Sequence, residues 1–135
     1  SFWSILMLDE DYQPAAVAMF GAMMQTRTKP DDGPSEDVRM YQALAVARLR
    51  RKNKEAKEAG CNAMDDMTIV TVLTLANLAR FLDDPEAYGT YRTMLRTVVQ
   101  ARGGLDALGH GGFVKSIVMQ WDSFWVFESY RKNVW

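Results

Sequence analysis

The chain has little of what small metal sites and hydrolytic enzymes are built from. It holds one cysteine, Cys61, and one histidine, His110, in 135 residues. A single thiol excludes an intrachain disulfide framework and fits a reducing compartment. Structural zinc takes about four ligands from Cys, His or carboxylate groups. A lone imidazole with no clustered Cys or His is a poor start for such a site, and His110 reads as a solvent-exposed turn residue. Any Ser-His-Asp triad would have to use it, and no G-x-S-x-G elbow is present. No catalytic residue, metal site or cofactor is therefore expected, and the chain does not read as an enzyme.

Charge of one sign is missing too. The net charge is −1 with 24% charged residues, so no global field draws the chain toward nucleic acid or an anionic membrane. No apolar run nears the ~20 residues of a membrane span. Residues 1–8 are apolar but lack the basic flank and small-residue cleavage site of a signal peptide. The chain opens on Ser1 and not Met, which is expected of a fragment or a trimmed protein. Strand-type alternation is scarce throughout.

What is there reads as helix. Hydrophobic residues make up 48% of the chain, including nine Met, six Phe, five Tyr and four Trp, enough to fill the core of one domain. Residues 14–25 are rich in Ala and Met, with Pro14 suited to a first helical turn. Met19, Met23 and Met24 there are core fillers or an adaptable surface. Residues 29–37 form a loop by composition, and Ser35 is placed to cap a helix from about Glu36 to Gly60. That helix carries Val38, Tyr41, Leu44, Ala45 and Val46 on an apolar stripe before it turns charged.

A third helix, capped by Asp65 or Asp66, runs from about Met67 to Leu82. It is apolar nearly all round, which places it at the centre of the domain. Pro85 opens a fourth helix with Tyr88, Tyr91, Leu95, Val98 and Val99 at helical spacing, ending at Gly103. Phe113, Ile117, Trp121, Phe124 and Trp125 follow the same period on a fifth. The expected fold is all-α, an irregular multi-helix bundle of about five main helices in a single domain over residues 1–135.

Five of the nine glycines fall in residues 100–113, "QARGGLDALGHGGF". Gly104 and Gly109 have the spacing that opens a G-x-x-x-x-G-K-[ST] phosphate loop. His110 and Gly111 stand where the Lys and the hydroxyl should be, and a helix precedes the motif where a strand should. The glycines are instead expected to make a corner between helices. Gly103 or Gly104 ends one helix in the left-handed region, and Leu105 and Leu108 tuck into the core.

Other polar groups also have structural explanations. Asp65/Asp66 and Asp83/Asp84 flank helix ends, where carboxylates cap. Asp122 among aromatics calls for a partner such as Arg96 or Arg102. The basic run Arg48, Arg50, Arg51, Lys52, Lys54 and Lys57 has the composition of a nuclear-import or nucleic-acid patch. It equally suits a solvated helix face with Lys54 and Glu58 one turn apart, and no DNA-docking motif accompanies it.

Residues 65–125 resemble the fungal-specific transcription factor domain. Arg102, Gly103, Gly104, Leu105, Leu108, Gly109, Gly112, Phe113 and Asp122 fit its pattern of a long apolar helix, an R-G-G-L-x-x-L-G-x-x-G-like turn and a following Asp-bearing helix. Phe2, Trp3 and Pro14 are similar to the family's Phe-Trp segment and proline-headed helix. Tyr41, Leu44 and Leu49 match a later one. The chain departs where the family often carries Arg-His, having Val17 and Ala18.

The resemblance implies a regulatory, nuclear, protein-interaction domain. Such a domain usually follows a zinc-cluster DNA-binding module with six cysteines, which a chain with only Cys61 does not contain. The implied partners are other domains of a transcription factor, a second copy or co-regulators, with no direct contact to nucleic acid or membrane. The alternative is a free-standing helical adaptor or small-molecule-binding protein of the same fold, in the cytoplasm.

Overall fold

The computed structural model describes residues 2–29, 33–60, 65–109 and 112–124, with the side chains of residues 4–29, 33–60, 65–109 and 112–119. The chain is all-α. Its helices are α1 (Phe2–Leu8), α2 (Gln13–Thr28), α3 (Glu36–Glu58), α4 (Asp66–Phe81), α5 (Pro85–Ala101) and α6 (Phe113–Phe124). A single 3₁₀ turn (Leu105–Ala107) lies between α5 and α6. No strand occurs among the described residues.

α4 is the axis of the bundle. Every residue from Thr68 to Ala79 is buried, and the helix packs chiefly on α5 and α2, with smaller contacts to α6 and α3. Three of its buried polar groups bond back within the helix. Thr71 Oγ1 donates to the Met67 carbonyl at 2.8 Å, Thr74 Oγ1 to Val70 at 2.9 Å and Asn77 Nδ2 to Leu73 at 3.1 Å. Such back-bonding removes the desolvation cost that an unpaired hydroxyl or amide would carry in a core.

Local chemistry sets the helix starts as the sequence expects. The Ser35 hydroxyl accepts from Val38 N at 3.2 Å, and Asp84 accepts from Ala87 N at 3.1 Å ahead of Pro85. Of the pair at the head of α4, Asp65 is the cap, accepting from Thr68 N at 2.8 Å. Burial pushes its carboxyl up, but the bonds from Thr68 and the nearby Lys52 ammonium outweigh burial and hold it below the ordinary value.

Three details differ from the sequence expectation. Residues 2–8 form α1, with Leu6 fully buried and Ile5, Met7 and Leu8 exposed. The Asp9 carboxylate then turns the chain into α2 by accepting from Asp11 N and Tyr12 N, each at 2.9 Å. In α3 the inward line is Val38, Ala45 and Leu49, and Leu44 is 39% exposed. It sits one residue, roughly 100° of helix, away from Ala45. In α6 the buried residues are Val114, Ile117 and Val118 with Phe113 packed beside them; the side chains of Trp121 and Phe124, and Trp125 itself, lie outside the described residues.

Asp83 is a fourth departure. It caps nothing, and instead takes a φ of 54° as the residue that terminates α4. Asp83 N donates to Arg80 O at 3.2 Å and Asp84 N to Ala79 O at 2.9 Å, the paired bonds of a Schellman ending. Glycine is the usual occupant of that position. Asp83→Gly is expected to raise unfolding stability by about 0.5–1 kcal/mol in urea titration, because the left-handed backbone is costly for a side chain.

Asp65→Ala should cost about 1 kcal/mol at neutral pH. A lowered folded-state value means the contribution is present above the unfolded value near 4 and fades as pH falls through the folded one. Denaturation in acid should therefore bring the two proteins together.

Candidate functional site

The glycine-rich corner is built from two consecutive backbone requirements. α5 ends in a Schellman motif: Gly103 N donates to Gln100 O at 3.0 Å and Gly104 N to Val99 O at 2.9 Å. Gly103 has φ 107°, and Gly104 follows with φ 98° and ψ 179°, a region that essentially only glycine occupies. Both glycines, not one, carry positive φ. The 3₁₀ turn then seats Leu108 in the core with Leu105 beside it. Lys115 bridges back to the Asp106 carboxylate, and the bond and charge of that ammonium hold Asp106 below its ordinary value.

The corner is pinned to the head of α4. Arg102 NH2 lies 2.9 Å from Asp66 Oδ1, with the two side chains 21% and 11% exposed. Gly109 N donates to Asp66 Oδ2 at 3.1 Å, and a Cβ on Gly109 would meet that oxygen at 2.5 Å. Thus Gly109 is glycine because a carboxylate occupies the space a side chain would need. Asp66 is not the helix cap, since Asp65 supplies that bond. Arg102 pairs with Asp66; the side chain of Asp122 lies outside the described residues, as does His110. Arg96 buries its Nε without a hydrogen-bond partner.

Gly112 takes φ 84°, and its carbonyl accepts from Ser116 N at the head of α6. The signature residues Arg102, Gly103, Gly104, Leu105, Leu108, Gly109 and Gly112 are thus joined into one corner whose polar groups are spent on the protein itself.

The basic run is spread around the second half of α3. Arg48 donates to the Glu10 carbonyl, Arg51 lies 3.4 Å from Asp11 and 3.9 Å from Glu55, and Lys52 lies 3.2 Å from Asp65. The one-turn pair that forms is Arg51–Glu55. Arg50 and Lys54 face solvent. Half of the run thereby fastens α3 to the α1–α2 corner and to the head of α4.

What the sequence did not single out is an apolar face across α2 and α3. These helices run antiparallel and approach closely at Gly21, where a Cβ would lie 2.9 Å from Val38 Cγ2. Ser35 N donates to Gln25 Oε1 at 2.9 Å at one end of the seam, and Arg48 meets Glu10 near the other. On the solvent side stand Val17 (46% exposed), Phe20 (59%) and Met24 (60%) from α2, with Met40 (55%) and Leu44 (39%) from α3. Of the Met19, Met23 and Met24 group only Met24 is well exposed. The sequence does carry a signal for this: Val17, Phe20 and Met24 repeat at helical spacing beside the separate inward line Ala15, Ala18 and Ala22.

Among the described residues no group of three or more His, Cys, Asp or Glu is placed to hold a metal ion, and no helix is long and apolar enough to cross a membrane. A surface groove of about 360 Å³ runs along α3 over Arg39, Ala43, Val46 and Arg50. No protein-family model matches the chain, and neither curated proteins nor solved structures give a match.

The corner makes a two-part prediction. Gly104→Val and Gly109→Ala should each destabilise by about 1 kcal/mol or more, the first through φ and the second through the Asp66 carboxylate. In an Asp66→Ala background the Gly109→Ala penalty should vanish while the Gly104→Val penalty persists, which a double-mutant cycle by chemical denaturation reads directly.

Proposed function

We propose that the chain is a regulatory, protein-interaction domain of a fungal transcription regulator, acting in the nucleus by contact and not by binding DNA itself. The observation that carries the contact role is the α2–α3 face, where two adjacent antiparallel helices expose five large apolar side chains. Contiguous exposed apolar surface is the mark of an interaction site. The transcriptional context rests on the resemblance of residues 65–125 to the fungal-specific domain. The acid-paired cations of α3 support the absence of a DNA-reading role, because phosphate binding draws on free Lys and Arg.

The test is tethering. Fused to a heterologous DNA-binding module in a fungal cell, the chain is expected to change reporter transcription several-fold. Phe20→Glu with Met40→Glu should abolish that change without altering the far-UV circular dichroism. The isolated chain should bind DNA only weakly, in a salt-sensitive and sequence-independent way. A fusion that leaves the reporter at the level of the module alone overturns the regulatory reading. Tight sequence-specific binding by the isolated chain overturns the contact mechanism.

A further inference from the structure

The stripe that α3 contributes to this face has a charge pattern of its own. Asp37, Met40, Leu44 and Arg51 recur at spacings of three, four and seven, which places them on one side of the helix. Ala47, exposed and small, fills the remaining turn of that side. Asp37 and Arg51 each lie seven positions from Leu44, one toward the N-terminus and one toward the C-terminus. Asp37 is exposed, and no ion pair to it forms among the described residues. The Arg51 side chain stays 63% exposed while it pairs with Asp11 at 3.4 Å and Glu55 at 3.9 Å.

We propose that the α2–α3 face takes a second copy of this chain, with the two α3 helices antiparallel about a two-fold axis at Leu44. This rests on the interaction-domain reading above and names its partner. A two-fold interface is self-complementary, so each patch must contain both halves of every pair. Antiparallel pairing about Leu44 sets Asp37 of each copy opposite Arg51 of the other, giving two identical ion pairs around an apolar centre. Met40 and Leu44 of both copies fill that centre, and Ala47 lets the helix backbones approach. Val17, Phe20 and Met24 extend the buried surface onto α2, on the same solvent side of the seam. The order acid, apolar, base along one helix stripe is what this symmetry requires.

Sedimentation equilibrium of the 135-residue chain, from about 1 to about 100 μM, should report twice the chain mass at the upper end. Phe20→Glu and Leu44→Glu should each weaken association at least tenfold while leaving helix content and urea midpoint unchanged, since both side chains lie on the surface. Asp37→Arg alone and Arg51→Asp alone should be monomeric, because each sets two like charges face to face twice. An equimolar mixture of those two variants should regain the double mass, because the unlike charges then meet at both ends. A chain monomeric throughout, a dimer untouched by Phe20→Glu and Leu44→Glu, or a mixture that stays monomeric overturns the proposal.

The tethered reporter keeps the two readings apart. A monomeric chain whose regulation is still lost with Phe20→Glu and Met40→Glu overturns the second copy as occupant and leaves the interaction domain standing.

Discussion

A helix with no solvent face cannot exist without neighbours, and α4 imposes that condition on the rest of the chain. Its residues from Thr68 to Ala79 are covered on all sides, so at least two other helices must flank it. α2 and α5 do most of this, and α3 and α6 close what remains. Hydrophobic burial drives the assembly, but it is non-directional and would accept many arrangements. Direction comes from the polar devices at the helix ends. The Asp9 turn, the Ser35, Asp65 and Asp84 caps and the two Schellman endings fix where each helix starts and stops.

The Asp66, Arg102 and Gly109 cluster adds a longer-range constraint. It joins the head of α4 to the corner that follows α5, through a carboxylate with one oxygen on a guanidinium and the other on a backbone N–H. An ion pair this sheltered gains little net stability over an apolar substitute, yet leaving either partner alone is costly. Its effect is to select one arrangement of the α4–α5 hairpin over its near alternatives. The glycine corner thus positions the α4–α5 hairpin, through Asp66, Arg102 and Gly109.

The division between what was legible and what was not follows the range of the forces involved. Helix ends are local chemistry, and Ser35, Asp65, Asp84, Pro85 and Gly103 could be read from a few neighbouring residues. The central helix was legible because twelve consecutive buried positions leave no period to mistake. The Asp66 pairing was hidden, since nothing local says that a second Asp after a cap will face a turn beyond the next helix. Leu44 was misplaced for a related reason: Val38, Leu44, Ala45 and Leu49 offer two overlapping stripes, and only packing chooses between them. α1 is too short to announce itself by period. The exposed α2–α3 face was visible as spacing but not as surface, because an apolar stripe looks the same whether its cover belongs to the chain or comes from elsewhere.

The corner also bears on how the molecule opens. A hairpin held only by side-chain packing unzips from its free ends, one turn at a time. Here the head of α4 and the far end of α5 are fastened to each other through Asp66, so neither terminus is free to fray alone. Amide hydrogens of α4 and α5 are then expected to exchange together as the hairpin parts, the two helices forming one cooperative unit. The outer turns of α2 and α3 carry no such fastening to that corner and can open at lower free energy. The exposed apolar face of α2 and α3 is thereby carried on the more yielding half of a domain whose inner half is locked.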